Sequence, residues 1–172
     1  MVVIDGFSPA DMELYRVVIK SLESPEKSCG FICGTEELRH WNPLEICHLL
    51  HTTKDYWGTL KDLVPEYTNR DVLSFAKMSL SNLYHEIGHR RIHASMEQNI
   101  AALPAAYKSV FFILQNLHYL RTHQFIPTKV ALLPVLTGKD RLVLETAMRL
   151  GRGEAFEFDQ VFPLPFFWCR ET

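Results

Sequence analysis

The amino-acid sequence predicts a mainly α fold, a helical bundle with one or two short β-strands at its N-terminal end. Three observations carry that expectation. Apolar residues recur at three- and four-residue spacing through several long stretches, capping residues stand in front of most of them, and the two short apolar runs that read as strands, Val2-Val3-Ile4 and Phe31-Ile32-Cys33, lie within the first 34 residues. The chain of 172 residues has the length of one ordinary domain or two very small ones. Its 47% hydrophobic and 22% charged residues suffice for a core and exclude global disorder.

Val2-Val3-Ile4, stopped by Asp5-Gly6, reads as a buried strand. Ser8-Pro9-Ala10-Asp11 reads as a helix start, with Ser8 as N-cap and Pro9 at the first helical position. Met12, Tyr15, Val18, Ile19 and Leu22 then form one apolar stripe, which Pro25 ends. Phe31-Ile32-Cys33, between Gly30 and Gly34, fits a second short strand, and Thr35 and Asn42 read as N-caps of short helices. After Gly58 the pattern is plainly helical. Thr68-Asn69-Arg70-Asp71 caps a long segment whose stripe is Val72, Phe75, Ala76, Leu80, Leu83, Ile87 and Ala94. A helix from Pro104 to about Arg121 and another from the N-cap Thr137 to Leu150 follow. Phe156 to Trp168, with five phenylalanines, a tryptophan and two prolines, is too apolar for a solvated linker and is expected to pack in extended form. The expected division is a short α/β segment at 1–34, a helical domain at 35–155 and an aromatic tail at 156–172.

Composition narrows the setting. Eighteen Lys+Arg against twenty Asp+Glu, a net charge of -2, give no electrostatic reason to expect nucleic acid or an anionic membrane as partner. No run approaches the roughly 18 consecutive apolar residues of a membrane span, and the N-terminal residues lack a secretion-signal pattern. Four cysteines are expected as reduced thiols, which suits a cytoplasmic protein.

The chemistry-bearing stretch is Tyr84-His85-Glu86-Ile87-Gly88-His89, which matches the H-E-x-x-H pattern of zinc metallopeptidases. Two imidazoles four residues apart share a helix face and can hold one Zn²⁺, while the glutamate between them can take a proton from the metal-bound water. His93 extends the row by a turn. As a third ligand it is badly placed: eight residues separate it from His85, roughly 12 Å along a straight helix. Arg90-Arg91-Ile92 and the residues after it contain no glycine or proline to bend the row. The preceding forty residues also read as helix and turn rather than as a substrate-binding edge strand. The other reading is an amphipathic helix whose polar face carries His, Glu and Arg.

A second metal pattern, C-x₃-C-x₁₃-C-x₃-H, joins Cys29, Cys33, Cys47 and His51. Its alternative is that Cys29 and Cys33 flank a buried strand and Cys47 packs inside an apolar helix. No G-x-S-x-G, Walker loop or G-x-G-x-x-G occurs. Arg39, Arg90, Arg91 and Arg121 are candidates for phosphate contact, against the commoner fate of arginines on helix faces, which is solvation or pairing with carboxylates.

Lys108 to Phe125, with Tyr119-Leu120-Arg121-Thr122, then Thr128-Lys129 and Leu132-Leu133, resembles the C-terminal helical region of bacterial nucleotidyltransferase-like proteins, relatives of the aminoglycoside nucleotidyltransferases in the polymerase-β-type superfamily. His51-Thr-Thr-Lys-Asp-Tyr-Trp-Gly58 is similar to that family's segment linking nucleotide-binding domain to helices, and the resemblance covers about residues 30 to 150. It implies Mg²⁺ and a nucleoside triphosphate as cofactors, but the Gly-Ser motif followed by Asp-x-Asp that holds them is absent, with Val3-Ile4-Asp5 as a candidate remnant of the strand bearing the third carboxylate. Two Mg²⁺ ions cannot be held by one acidic residue, so in-line phosphoryl transfer loses its charge stabilisation. What the resemblance implies is therefore an acceptor- or partner-binding helical region not active alone. Its partners would be an N-terminal nucleotidyltransferase domain, a second subunit (a homodimer included) or a small-molecule acceptor. Glu86 is then the candidate general base and Asp71 a weaker one. The alternatives are a zinc hydrolase with His85, His89 and His93 as metal residues, and a structural interaction domain whose aromatic tail docks on a partner.

Overall fold

The computed structural model describes residues 1–172 and is mainly α, with ten helices and one two-stranded parallel sheet. It divides into two compact units, Met1–Tyr67 and Thr68–Thr172. The boundary lies at the capping segment of the long helix, well past the 34/35 division expected from the sequence.

In the first unit β1 (Val2–Ile4) and β2 (Ile32–Gly34) pair in parallel, Val2 opposite Ile32 and Ile4 opposite Gly34. A parallel pair needs a long crossover, and α1 (Pro9–Lys20) supplies it. The Ser8 N–H and hydroxyl both donate to the Asp11 carboxylate, at 2.8 and 2.6 Å, as the sequence at the helix start implies. The apolar stripe is not buried, however. Met12, Val18 and Leu22 are exposed, and no α1 residue is fully buried. The reason is one of area: two three-residue strands cannot cover a twelve-residue helix, about 18 Å long. α2 (Thr35–Arg39) begins one residue after Gly34, which takes the cap position expected for Thr35. α3 (Pro43–Thr52) starts as read, the Asn42 carboxamide accepting from Leu44 N–H at 3.1 Å. The core of this unit is small: Cys33, Leu38 and Leu60 cluster with half-buried Val3, Phe31 and Trp41 around them, and α3 buries Ile46 and Cys47.

The second unit is all-helical. α4 (Asn69–His93) buries Val72, Ala76, Leu83 and Ile87, four positions of the stripe read from the sequence. Thr68 caps it by donating its N–H and hydroxyl to the Asp71 carboxylate, at 2.8 and 2.6 Å. The helix expected to begin at Pro104 is instead two, α5 (Met96–Ala106) and α6 (Lys108–Thr122). A reciprocal cap between Ser95 and Gln98 starts α5 well before the proline (Ser95 N–H to Gln98 Oε1 2.9 Å, Gln98 N–H to Ser95 Oγ 3.3 Å), and Pro104 lies inside it. α7 (Lys129–Leu132) is a single turn, and α8 (Gly138–Gly151) has the Thr137 N-cap and glycine end of the sequence reading. Over Met96–Thr122, α5 and α6 are together long and apolar enough to cross a membrane, a property that counting consecutive apolar residues does not reveal; half of the most apolar stretch is buried inside the protein.

The tail is helical, not extended: α9 (Phe158–Val161) and α10 (Leu164–Glu171). Pro163 is the N-cap of α10 and Pro165 lies in its first turn, where a missing N–H costs no helical hydrogen bond. α10 packs on α4 and α8. Two buried side chains anchor this region: Tyr107 donates its hydroxyl to Val161 O at 2.6 Å, and Trp168 donates its indole N–H to Asp140 Oδ1 at 2.8 Å. Leu83, Ile113, Leu114, Leu144, Phe162 and Trp168 belong to one continuous core.

Candidate functional site: a histidine face on the long helix

The chain turns at Ala94, whose backbone is extended, and α4 runs unbroken through His93. Asn99 fixes the turn from α5, its buried amide donating to Arg90 O at 3.4 Å and Ala94 O at 3.3 Å. The break thus falls after the whole histidine row rather than inside it. Capping by Ser95 and Gln98 makes it without glycine or proline.

On that unbroken helix the imidazoles of His85, His89 and His93 stand one above another. The ring centroids of His85 and His89 are 5.9 Å apart, and those of His89 and His93 are 4.6 Å apart. All three residues are exposed. With Glu86, Arg90 and Gln98 they line a cleft of about 520 Å³. Glu86 accepts from Arg90 Nε at 3.3 Å, an i,i+4 pair on one helix face. The structure therefore brings together every residue singled out from the H-E-x-x-H stretch. Asp71 lies at the other end of α4, where its carboxylate serves as a cap; hydrogen bonds from Thr68 hold it below the usual carboxylate range.

The geometry does not fit a catalytic zinc. Nowhere in the chain do three His, Cys, Asp or Glu side chains converge as a ligand group. Imidazoles a full turn apart on a straight helix can meet one ion only in adjacent pairs, and Glu86 is directed to Arg90. The cysteine pattern is not assembled either. Cys29 is exposed, and a backbone hydrogen bond at Phe31 lowers its thiol. Cys33 and Cys47 are buried, and burial pushes both thiols up. Cys47 pairs with Tyr67, whose hydroxyl lies 3.3 Å from His51 Nε2. All four cysteines are free.

Of the four arginines considered for phosphate contact, three are ion-paired: Arg39 with Glu36, Arg90 with Glu86, and Arg121 with Asp140 at 3.3 Å. Arg91 has no such partner and lies 5.8 Å from the ring centroid of Phe162. In the first unit, Tyr56 and Trp57 of the linker-like segment are strongly exposed, Trp57 at 98%, and line a cavity that also includes Asp5 and Asp55. Sequence reasoning missed the Arg91 environment because its other wall comes from residues 158–166, read there as extended chain.

No family model, no curated protein and no solved structure matches the chain.

Proposed function

We propose that the second unit is the acceptor- or partner-binding helical region of a nucleotidyltransferase-like protein, and that the His85–Glu86–His89–His93 face is its binding surface. The observation that carries this is the alignment of three imidazoles and a carboxylate along one exposed cleft of an unbroken 25-residue helix. Such a face recognises a ligand rich in amino and hydroxyl groups. Imidazole nitrogens and the Gln98 carboxamide exchange hydrogen bonds with hydroxyls, and the Glu86 carboxylate receives an ammonium or takes a hydroxyl proton. To act as a base, Glu86 must exchange Arg90 for the acceptor hydroxyl, a rearrangement open to an exposed ion pair, which is worth at most about 1 kcal/mol.

The chain carries no carboxylate set for two Mg²⁺ ions, so phosphoryl transfer has to be supplied by another domain or subunit. Calorimetric titration with an aminoglycoside such as kanamycin tests the reading. Binding to the wild type that weakens about tenfold in Glu86→Gln, with melting temperature unchanged, supports it. Equal binding by both proteins, or a large loss of stability in the variant, would show that Glu86 serves the fold instead. With Mg²⁺ and ATP added, the chain alone is expected to transfer no nucleotide to the acceptor.

A further inference from the structure

A second cavity, of about 380 Å³, opens between α4, α9 and α10 and shares no residue with the histidine face. Its volume is in the range of small-molecule sites. Phe158, Phe162 and Phe166 line it together with Ile87, Ile92 and Pro163. Gly88 makes room for it. This glycine is inside α4, five residues before its end, where a side chain would ordinarily favour the helix, and a Cβ added there would meet nothing within 4 Å.

Two charged side chains complete the lining, Arg91 from α4 and Asp159 from α9. They form no ion pair with each other or with any other residue. The Arg91 guanidinium lies over Phe162, which holds it at the cavity. An apolar anion entering here would meet Asp159, and an apolar cation would meet Arg91. A ligand carrying both charges on an apolar body satisfies the two together. The geometry points to a binding site for a free α-amino acid with a large apolar side chain, its carboxylate on Arg91, its ammonium on Asp159 and its side chain among the phenylalanines.

Three probes with one shared apolar body test this by calorimetry: L-phenylalanine, 3-phenylpropionate, which lacks the ammonium, and phenethylamine, which lacks the carboxylate. L-Phenylalanine is expected to bind at least about tenfold tighter than either. Arg91→Gln should bring it down to the level of phenethylamine, and Asp159→Asn to that of 3-phenylpropionate. Gly88→Leu should abolish binding while the melting temperature holds or rises. Equal affinity for the three probes would overturn the assignment, leaving apolar packing alone. So would no binding at millimolar probe by a wild type that circular dichroism shows folded, or undiminished binding by a folded Gly88→Leu protein. Should Gly88→Leu fail to fold, the exposed Arg91 and Asp159 substitutions decide the question alone.

Discussion

At Thr68 and Asp71 one carboxylate accepts two hydrogen bonds from the residue that opens α4, and those bonds favour its ionised form. A carboxyl held below its unfolded value stabilises the fold above that value, and the contribution disappears as pH falls through the lowered one. Asp71→Asn is therefore expected to melt at lower temperature than the wild type at neutral pH and to converge with it in acid below the usual carboxylate range. Parallel curves over that range would show that the cap carries no proton linkage. Trp168 is a residue of a different kind. It is 1% exposed, and its indole N–H is the only donor the side chain has for Asp140. Trp168→Phe keeps most of the packing but removes a hydrogen bond to a charged group, so urea denaturation should show a loss of about 2 kcal/mol. At Gly88 the substitution runs the other way. Gly88→Ala should stabilise by about 1 kcal/mol, because the new Cβ enters open space and the unfolded chain loses freedom.

Among the elements, what the sequence made legible was whatever rests on local rules. Ser8 with Asp11, and Asn42, mark helix starts because a capping side chain acts within three residues. The α4 stripe was legible because 3.6-residue periodicity is itself a statement about one face. Two elements were misread for opposite reasons. Pro104 suggested a helix start, although the Ser95–Gln98 pair, a local signal present in the sequence, sets it earlier. The tail was expected in extended form, whereas Pro163 and Pro165 occupy helix-opening positions that only the chain's path reveals. α1 shows the remaining kind of gap. Its stripe is real, but burial depends on what the rest of the unit can cover, which periodicity does not contain. Exposure of Val17 accordingly predicts that Val17→Lys changes stability by no more than about 0.5 kcal/mol by chemical denaturation. For the candidate site, the membership of the histidine row and Glu86 was legible, since i,i+4 spacing alone places them on one face. The Glu86–Arg90 pairing and the cavity beside Arg91 were not, because side-chain choice of partner and long-range packing decide them.

Taken as a whole molecule, the chain distributes its core unevenly. The first unit has only five buried apolar side chains and a two-stranded sheet, a size of sheet that is marginal by itself, while the second unit joins residues from α4 to α10 in one core. The functional proposal belongs to the second unit, whose α4 carries the histidine face on the outside and Leu83 and Ile87 on the inside. An unbroken helix packed along one face is a fitting platform for a recognition surface, since its backbone sets the relative positions of the side chains on it. The most direct test of that central claim is an NMR titration of the imidazole resonances with kanamycin, each histidine assigned by substitution. Selective shifts of His85, His89 and His93, saturating with ligand and lost in Glu86→Gln, are the predicted result. Shifts confined to other histidines, or none in a folded protein at millimolar ligand, would contradict the assignment of this face as the acceptor site.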